Sequence, residues 1–516
     1  MSYIVEQKIK GRIYLYKVDS YWDKDKKQAR QKRTYIGPKD AKRKPSIKQI
    51  HSNIIHKSYG NIFLLNWIIN KIGLYDIVKE SFPNQYAELI ALAFYEIIEA
   101  SPLYLFPYWH EEHYLPNTNK MDSSAISKFC DEIGRNQHQR IEFQEQWIAH
   151  LQPVDALYYD ITSISSYSTN IEFIEWGYNR DNENLAQLNM GVVFCNNKSL
   201  PIFYTLYPGS IVDVTTLKNC VTYLKSFGLN EFMFILDRGF FSTANISEMD
   251  KHQENISFIQ PLPFSLNKVK ELIKTHKKEL NDIGSNFTFN NELLSHVKSE
   301  IQFNEQSYSS HIFLNEKAEL DQRQLFMKKL IDIENNIIKN RLFSSLKEAR
   351  IFKEDNIIKA YQNFFKWSRS SGMLERNIIT IKAKISKFGY FILSTNRDDL
   401  DKETILANYR NKDQVEKIFD LLKNEMDGDR LRVHSQFNAD ARLFINFLAL
   451  IVQSEIIKIM RAEKLFKKYT MRELIAELRK IKLTKYNDEV IISEISKKQR
   501  KIFEAFKIDL EELHRY

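Results

Sequence analysis

From residue 156 to residue 259, short apolar runs and helical stretches alternate in an order that few folds accommodate. Residues 156–159, 188–194 and 200–206 are apolar runs of strand length, separated by polar turns. Residues 214–227 follow with helical spacing and stop at Gly228. Residues 232–236 read as a buried strand, Ser242 caps a helix to about residue 252, and residues 256–259 are a further strand. Three strands, helix, strand, helix, strand predicts a mixed sheet with helices on its faces.

Two of those strands end in carboxylates. Asp160 sits in LYYDIT and Asp237 in FMFILDRGFFS. A carboxylate at the end of an apolar strand stands at the sheet's carboxyl edge, where sites of such folds assemble. Taken singly, either Asp also reads as a cap for the next turn. A third acid lies far downstream, in YRNKDQVEKIFDLLK. Tyr409, Lys412, Glu416 and Lys423 are spaced by three, four and seven residues. At about 100° per residue the four share one helical face. The plainer reading of Lys412 and Glu416 is a surface pair worth about 0.3–0.5 kcal/mol. Asp155, Asp181, Asp213 and Glu425 compete as acids, but none joins a strand end to a basic neighbourhood as well.

Carboxylates without a histidine or cysteine cluster point to a hard, oxygen-liking divalent ion such as Mg²⁺. Two such ions, held by Asp160, Asp237 and Glu416, would suit phosphodiester chemistry, and Mn²⁺ could substitute. Asp160 would bridge both ions. Lys412 and Lys423 would contact the flanking phosphates and Tyr409 would position the backbone. Arg238, next to Asp237, joins them as a candidate DNA contact.

The rest of the chain divides around this core. Residues 1–50 read as a basic β-hairpin arm, with Lys32 and Arg33 among its candidate DNA contacts. Residues 51–150 are helical and are expected to bind DNA. Residues 151–261 and 395–460 form the catalytic core, with a β-rich subdomain of residues 262–394 inserted, and residues 461–516 form a C-terminal helical region. Within the insertion, 268–280 and 318–339 read as helices and 286–289, 307–314, 377–385 and 389–394 as strands. Residues 402–426 read as a helix broken near Asn408, and 439–460 as an apolar helix.

The net charge is +9 over 516 residues, which favours a polyanionic partner. The three cysteines, Cys130, Cys195 and Cys220, form no CxxC pair and suggest a reducing compartment. The N-terminus carries Glu6, Lys8 and Lys10 where a signal peptide needs an apolar run. The longest apolar run, 443–452, is too short to span a bilayer, so no membrane partner is expected.

The succession DIT, LDRGFFS and YRNKDQVEKIFDLLK resembles the DDE transposases of bacterial insertion sequences, most nearly the IS-four superfamily. That family's signature is Tyr, two residues, Arg, three residues, Glu, six residues, Lys. Tyr409, Glu416 and Lys423 match it, and Lys412 replaces the Arg. Lysine keeps the charge but loses the bidentate fork for phosphate. The resemblance implies a mixed α/β fold, with an RNase H-like core carrying a β-rich insertion between Asp237 and Glu416. It also implies Mg²⁺-dependent cutting of double-stranded DNA at terminal inverted repeats. A freed 3′-hydroxyl would then attack target DNA, within a homodimeric synaptic complex in the bacterial cytoplasm, at the nucleoid. A ring of the insertion would hold a flipped base; Trp367 is in the right region, but a core role is the expected one for it. Two other readings are a two-metal nuclease of the same fold and a decayed, DNA-binding repressor. The nuclease would leave the helical N-terminal region without a role; the repressor rests on Lys412 alone.

Overall fold

The computed structural model describes residues 2–39, 54–179, 183–250, 255–412, 430–486 and 489–514. They form two compact units, Met1–Ile55 with Lys485–Val490, and His56–Thr484 with Ile491–Tyr516.

The first unit holds three antiparallel strands in sequence order, β1 (Ser2–Ile9), β2 (Arg12–Asp23) and β3 (Gln28–Pro38). Lys10 and Gly11 both have positive φ, 44° and 81°, which gives the tight turn between β1 and β2 the twist a hairpin needs. At the next turn Asp23 accepts the amides of Asp25 and Lys26, each at 3.1 Å.

The second unit opens with helices α1 (Gly60–Lys71), α2 (Leu74–Ser81), α3 (Tyr86–Ile98), α4 (Phe106–Glu112), α5 (Ser123–Arg135) and α6 (Gln137–Leu151). Gly73, between α1 and α2, has φ +74°, and a Cβ there would stand 2.6 Å from the His150 ring. Asp122 caps α5 by accepting the Ala125 amide at 2.8 Å.

Strands β4 (Ala156–Ser165), β5 (Gln187–Cys195) and β6 (Leu200–Pro208) come next, then α7 (Asp213–Ser226), β7 (Phe232–Ile235), α8 (Thr243–Asp250) and β8 (Ile256–Pro261). Helix α9 (Asn267–Leu280) leads to β9 (Asn286–Phe289), β10 (Glu292–Phe303) and β11 (Gln306–Leu314). After α10 (Glu316–Ile333), α11 (Leu346–Asn356), the short pair β12 (Phe365–Trp367) and β13 (Leu374–Arg376), and α12 (Ile378–Ile385), strand β14 (Tyr390–Thr395) returns to the sheet. Helices α13 (Lys402–Arg410) and α14 (Gln436–Ala462) follow.

Nine of these strands form one sheet in the order β9-β10-β11-β14-β8-β7-β4-β5-β6. Strands β4, β5 and β6 are antiparallel neighbours, whereas β7 lies parallel to β4 and β8 parallel to β7. That five-strand arrangement is the RNase H-like core. Beyond it β14, β11, β10 and β9 add antiparallel strands, so residues from 262 onward extend the core sheet. The same segment holds a second small core between its helices, built on Phe326, Leu330, Phe352, Phe364 and Phe388.

Two expectations about elements need correction. Residues 378–385 are helix rather than strand, because Asn377 accepts the Thr380 amide and caps them, and only Ile381 of that helix is buried. The apolar run 443–452 lies inside α14, 27 residues long, which by length and composition alone could cross a membrane; 89% of its most apolar window is buried within the protein. Helix α14 packs on α3, α5 and β6. A Cβ on Gly134 would come within 1.9 Å of the Phe437 carbonyl, so this α5–α14 contact requires glycine. The Arg442 guanidinium pairs there with the fully buried Glu96 carboxylate.

Candidate active site

Strand β4 is buried along nearly its whole length, and its one half-buried position is Asp160. Next to it β7 runs parallel, pairing Ala156 with Met233, Leu157 with Phe234 and Tyr158 with Ile235. Two residues further along each strand stand Asp160 and Asp237. The chain after Ile235 stays extended: the Leu236 amide donates to Ile259 O at 3.0 Å, and Asp237 has φ −88° and ψ 165°. The paired register thus stops two residues short of each aspartate, so Asp160 and Asp237 occupy corresponding positions on neighbouring segments of the sheet.

Each acid is anchored locally. The Asp160 Oδ1 accepts the Ile161 amide at 2.9 Å. The Asp237 carbonyl accepts from Gln260 Nε2 at 2.8 Å, and Gln260 is wholly buried on β8. Asp237 also begins the single helical turn Arg238–Phe240, whose Phe240 packs on the Tyr159 ring at 5.1 Å.

Lys412 reaches this pair from downstream. Its Nζ lies 3.0 Å from Asp237 Oδ1, with the lysine side chain 8% exposed and the aspartate side chain 45% exposed. Helix α13 carries the lysine there, and Tyr158 Oη ties that helix to β4 by donating to Asn408 O at 2.9 Å. The helix runs past Asn408 and ends at Arg410; Asn411 caps it, and Lys412 occupies the following turn with its amide on Tyr409 O at 3.2 Å. Tyr409, half-buried, packs against the core from the last turn of α13. Tyr409 and Lys412 are thus not on one uninterrupted helical face, and the lysine pairs with a carboxylate. Glu416 and Lys423 lie outside the described residues.

Arg238 is exposed, with its guanidinium 5.2 Å from the centre of the Phe264 ring. Lys32 and Arg33 are exposed on β3 in the first unit, opposite Asp19 and Val18 of β2. Consecutive strand residues point to opposite faces, so these two do not share a DNA-contacting surface of the sheet. Trp367 is half-buried on β12, packed against the insertion's small core.

The donors suit a hard cation: two carboxylates on neighbouring strands, one of them nearly half exposed. Among the described residues no three His, Cys, Asp or Glu side chains come together as a metal site. A third oxygen donor would have to come from elsewhere, and Glu416 begins four residues beyond the lysine that already touches Asp237. Sequence reasoning missed Gln260 and the direct Lys412–Asp237 contact. Gln260 had one available signal, a polar residue inside an apolar strand.

A family model described as a transposase DDE domain matches residues 155–452. No curated protein sequence matches the chain. Among solved structures, the chain is similar to a piggyBac transposase, determined by cryo-EM as a synaptic complex with hairpin DNA. The identity is 9%, the match covers 81% of this chain and 76% of that one, and the TM-score is 0.37.

Proposed function

The chain belongs to the transposase DDE domain family, and from that premise we propose that it is the transposase of a bacterial insertion sequence. In this reading it binds the terminal inverted repeats of its element in the bacterial cytoplasm, cuts there and joins the freed ends to target DNA. A pair of chains would hold two ends together.

The observation that supports the reading is the parallel register of β4 and β7, whose last pair, Tyr158 and Ile235, stands two residues before Asp160 and Asp237. The family generally uses divalent metal ions. Asp160 and Asp237, joined by Glu416, would hold two Mg²⁺ ions, or Mn²⁺ in their place. Bound there, they would supply Lewis-acid stabilisation of the phosphodiester.

The chain's own groups would do the rest. Asp160 is fixed by its bond from the Ile161 amide, and Gln260 fixes the backbone of Asp237. The Lys412 ammonium neutralises Asp237 in the protein alone. With DNA bound it would share its charge with a phosphate beside the scissile one, and Lys423 and Tyr409 would add contacts to the DNA backbone. In the first step water adds to phosphorus and the P–O3′ bond breaks, leaving a 3′-hydroxyl and a 5′-phosphate. In the second, that hydroxyl attacks a target phosphodiester and displaces a target 3′-oxygen, so the number of phosphodiester bonds is conserved.

The test is Mg²⁺-dependent cleavage of a labelled duplex carrying the element's own end. Wild-type protein should nick it, and Asp237→Asn should abolish nicking while binding the duplex within a few fold of wild type. Nicking by the variant at the wild-type rate would remove Asp237 from the chemistry.

A further inference from the structure

A cleft of about 720 Å³ is walled by Arg238, the residue that follows Asp237 in the chain, and by residues of the insertion. Four cations line it, Arg238, Lys270, Lys384 and Lys387, together with the rings of Phe264 and Tyr390. No carboxylate is among its lining residues. The four cations come from separate elements: the turn after β7, helix α9, helix α12 and the loop before β14. These segments meet because β8 and β14 are neighbours, with Pro261 opposite Leu393, so the end of one strand adjoins the start of the other.

The charges are crowded rather than dispersed. Lys387 is held below its ordinary pKa by burial first, then by Lys270 and Lys384. Gathering like charges costs free energy, which an anionic occupant would offset; the one acid noted close by, Glu319, packs on Gly389 and is not among the lining residues. The floor is firm: Gly389 has φ +76°, its amide donates to Gln322 Oε1 at 3.1 Å, and a Cβ there would meet Asn315 O at 2.7 Å. The volume falls in the range of sites that enclose small ligands, about 300–1,000 Å³, which admits a nucleotide or two and excludes a duplex. A basic groove with ring faces is the chemistry that holds an unpaired strand.

We infer that this cleft binds a single DNA strand continuing from the phosphodiester at Asp237, with its phosphates on Arg238, Lys270, Lys384 and Lys387. The inference rests on the proposed function for its substrate and goes beyond it by assigning the path of one strand across the insertion.

The experiment compares the full chain with Lys384→Glu/Lys387→Glu, without divalent ions, by fluorescence anisotropy over a range of salt. The probes are a short oligothymidylate and a duplex of unrelated sequence. Lys328→Glu/Lys329→Glu, an exposed pair on α10 outside the cleft, controls for net charge. A milder Lys384→Gln/Lys387→Gln variant guards against misfolding. The cleft variant should lose at least about tenfold in oligothymidylate affinity, and its salt slope should fall by about 1.4, at roughly 0.7 per phosphate contact for a single strand. The glutamine variant should lie between it and wild type, and duplex binding should stay within about twofold of the control. Oligothymidylate binding equal to the control's would overturn the inference, and so would an equal loss for duplex and single strand. No cleavage is read, so a chain that failed to cut would leave this result standing.

Discussion

At Asp237 the proposed cation and the Lys412 ammonium that already pairs with the carboxylate would compete. With Nζ 3.0 Å from Oδ1 and the lysine side chain almost wholly buried, Lys412 offsets the charge of Asp237 before any ion or DNA arrives. When DNA binds, that ammonium has a phosphate to turn to. Lys412→Ala should therefore slow end cleavage by about tenfold or more, on the scale of about 1.4 kcal/mol per factor of ten, whereas Lys412→Arg should retain most of it and keep the wild-type salt dependence. Equal rates for both variants in single-turnover cleavage would reduce Lys412 to a structural residue. Asp237 was legible in the sequence because an apolar strand followed by an acid is a local pattern; Asp160, expected at a strand end, instead lies inside β4, whose pairing continues to Ser165. The Lys412–Asp237 contact was not legible, because it joins residues far apart in the chain and depends on where α13 stops.

At the scale of elements, the extension of the sheet carries its own test. Strands β10 and β11 place His296 and His311 side by side, with Nε2 of the first 3.0 Å from Nδ1 of the second. Burial foremost, with His311, Lys402 and Lys298 adding to it, pushes His296 down to about 3, and burial with Lys298 pushes His311 down to about 4. In the unfolded chain both rings titrate near 6.5, so the unfolded state takes up protons first as the solution is acidified. The stability contributed by the neutral pair is full above about pH 6.5 and is lost as the pH falls from there toward 4 and below. The denaturant midpoint should drop over that window, and His296→Leu should flatten the drop relative to wild type. An unchanged slope in the variant would mean that other groups, such as the buried His113, set the acid sensitivity. Strand β10, ELLSHVKSEIQF, escaped the sequence reading: its charges, Glu292, Lys298 and Glu300, share one face, but Ser295 and Ser299 interrupt the apolar face opposite and weaken its signal. Residues 378–385 misled it in the other direction: a β-branched run looks like strand, and the Asn377 cap overrides that propensity.

Across the whole molecule, the core order of strands and helices was readable because each element is short, strongly apolar and separated by clear turns. That the strands after residue 262 would join the same sheet was not readable, since antiparallel addition at an edge leaves no mark on the pattern of a single strand. The first unit, with its basic strands, is proposed to bring affinity rather than chemistry. Deleting residues 1–50 should weaken binding to end DNA and lower its salt slope, while leaving divalent-ion binding by the rest unchanged; undiminished affinity would remove the arm from DNA recognition. The proposed function turns on one ion-holding cluster, to which Asp160, Asp237 and Glu416 would each contribute. Its most direct measurement is Mn²⁺ bound in the presence of end DNA, read by electron paramagnetic resonance for wild type and for Asp160→Asn, Asp237→Asn and Glu416→Gln. The account predicts that each substitution lowers bound Mn²⁺ and abolishes cleavage together; wild-type Mn²⁺ binding and cutting by any one of the three would contradict it.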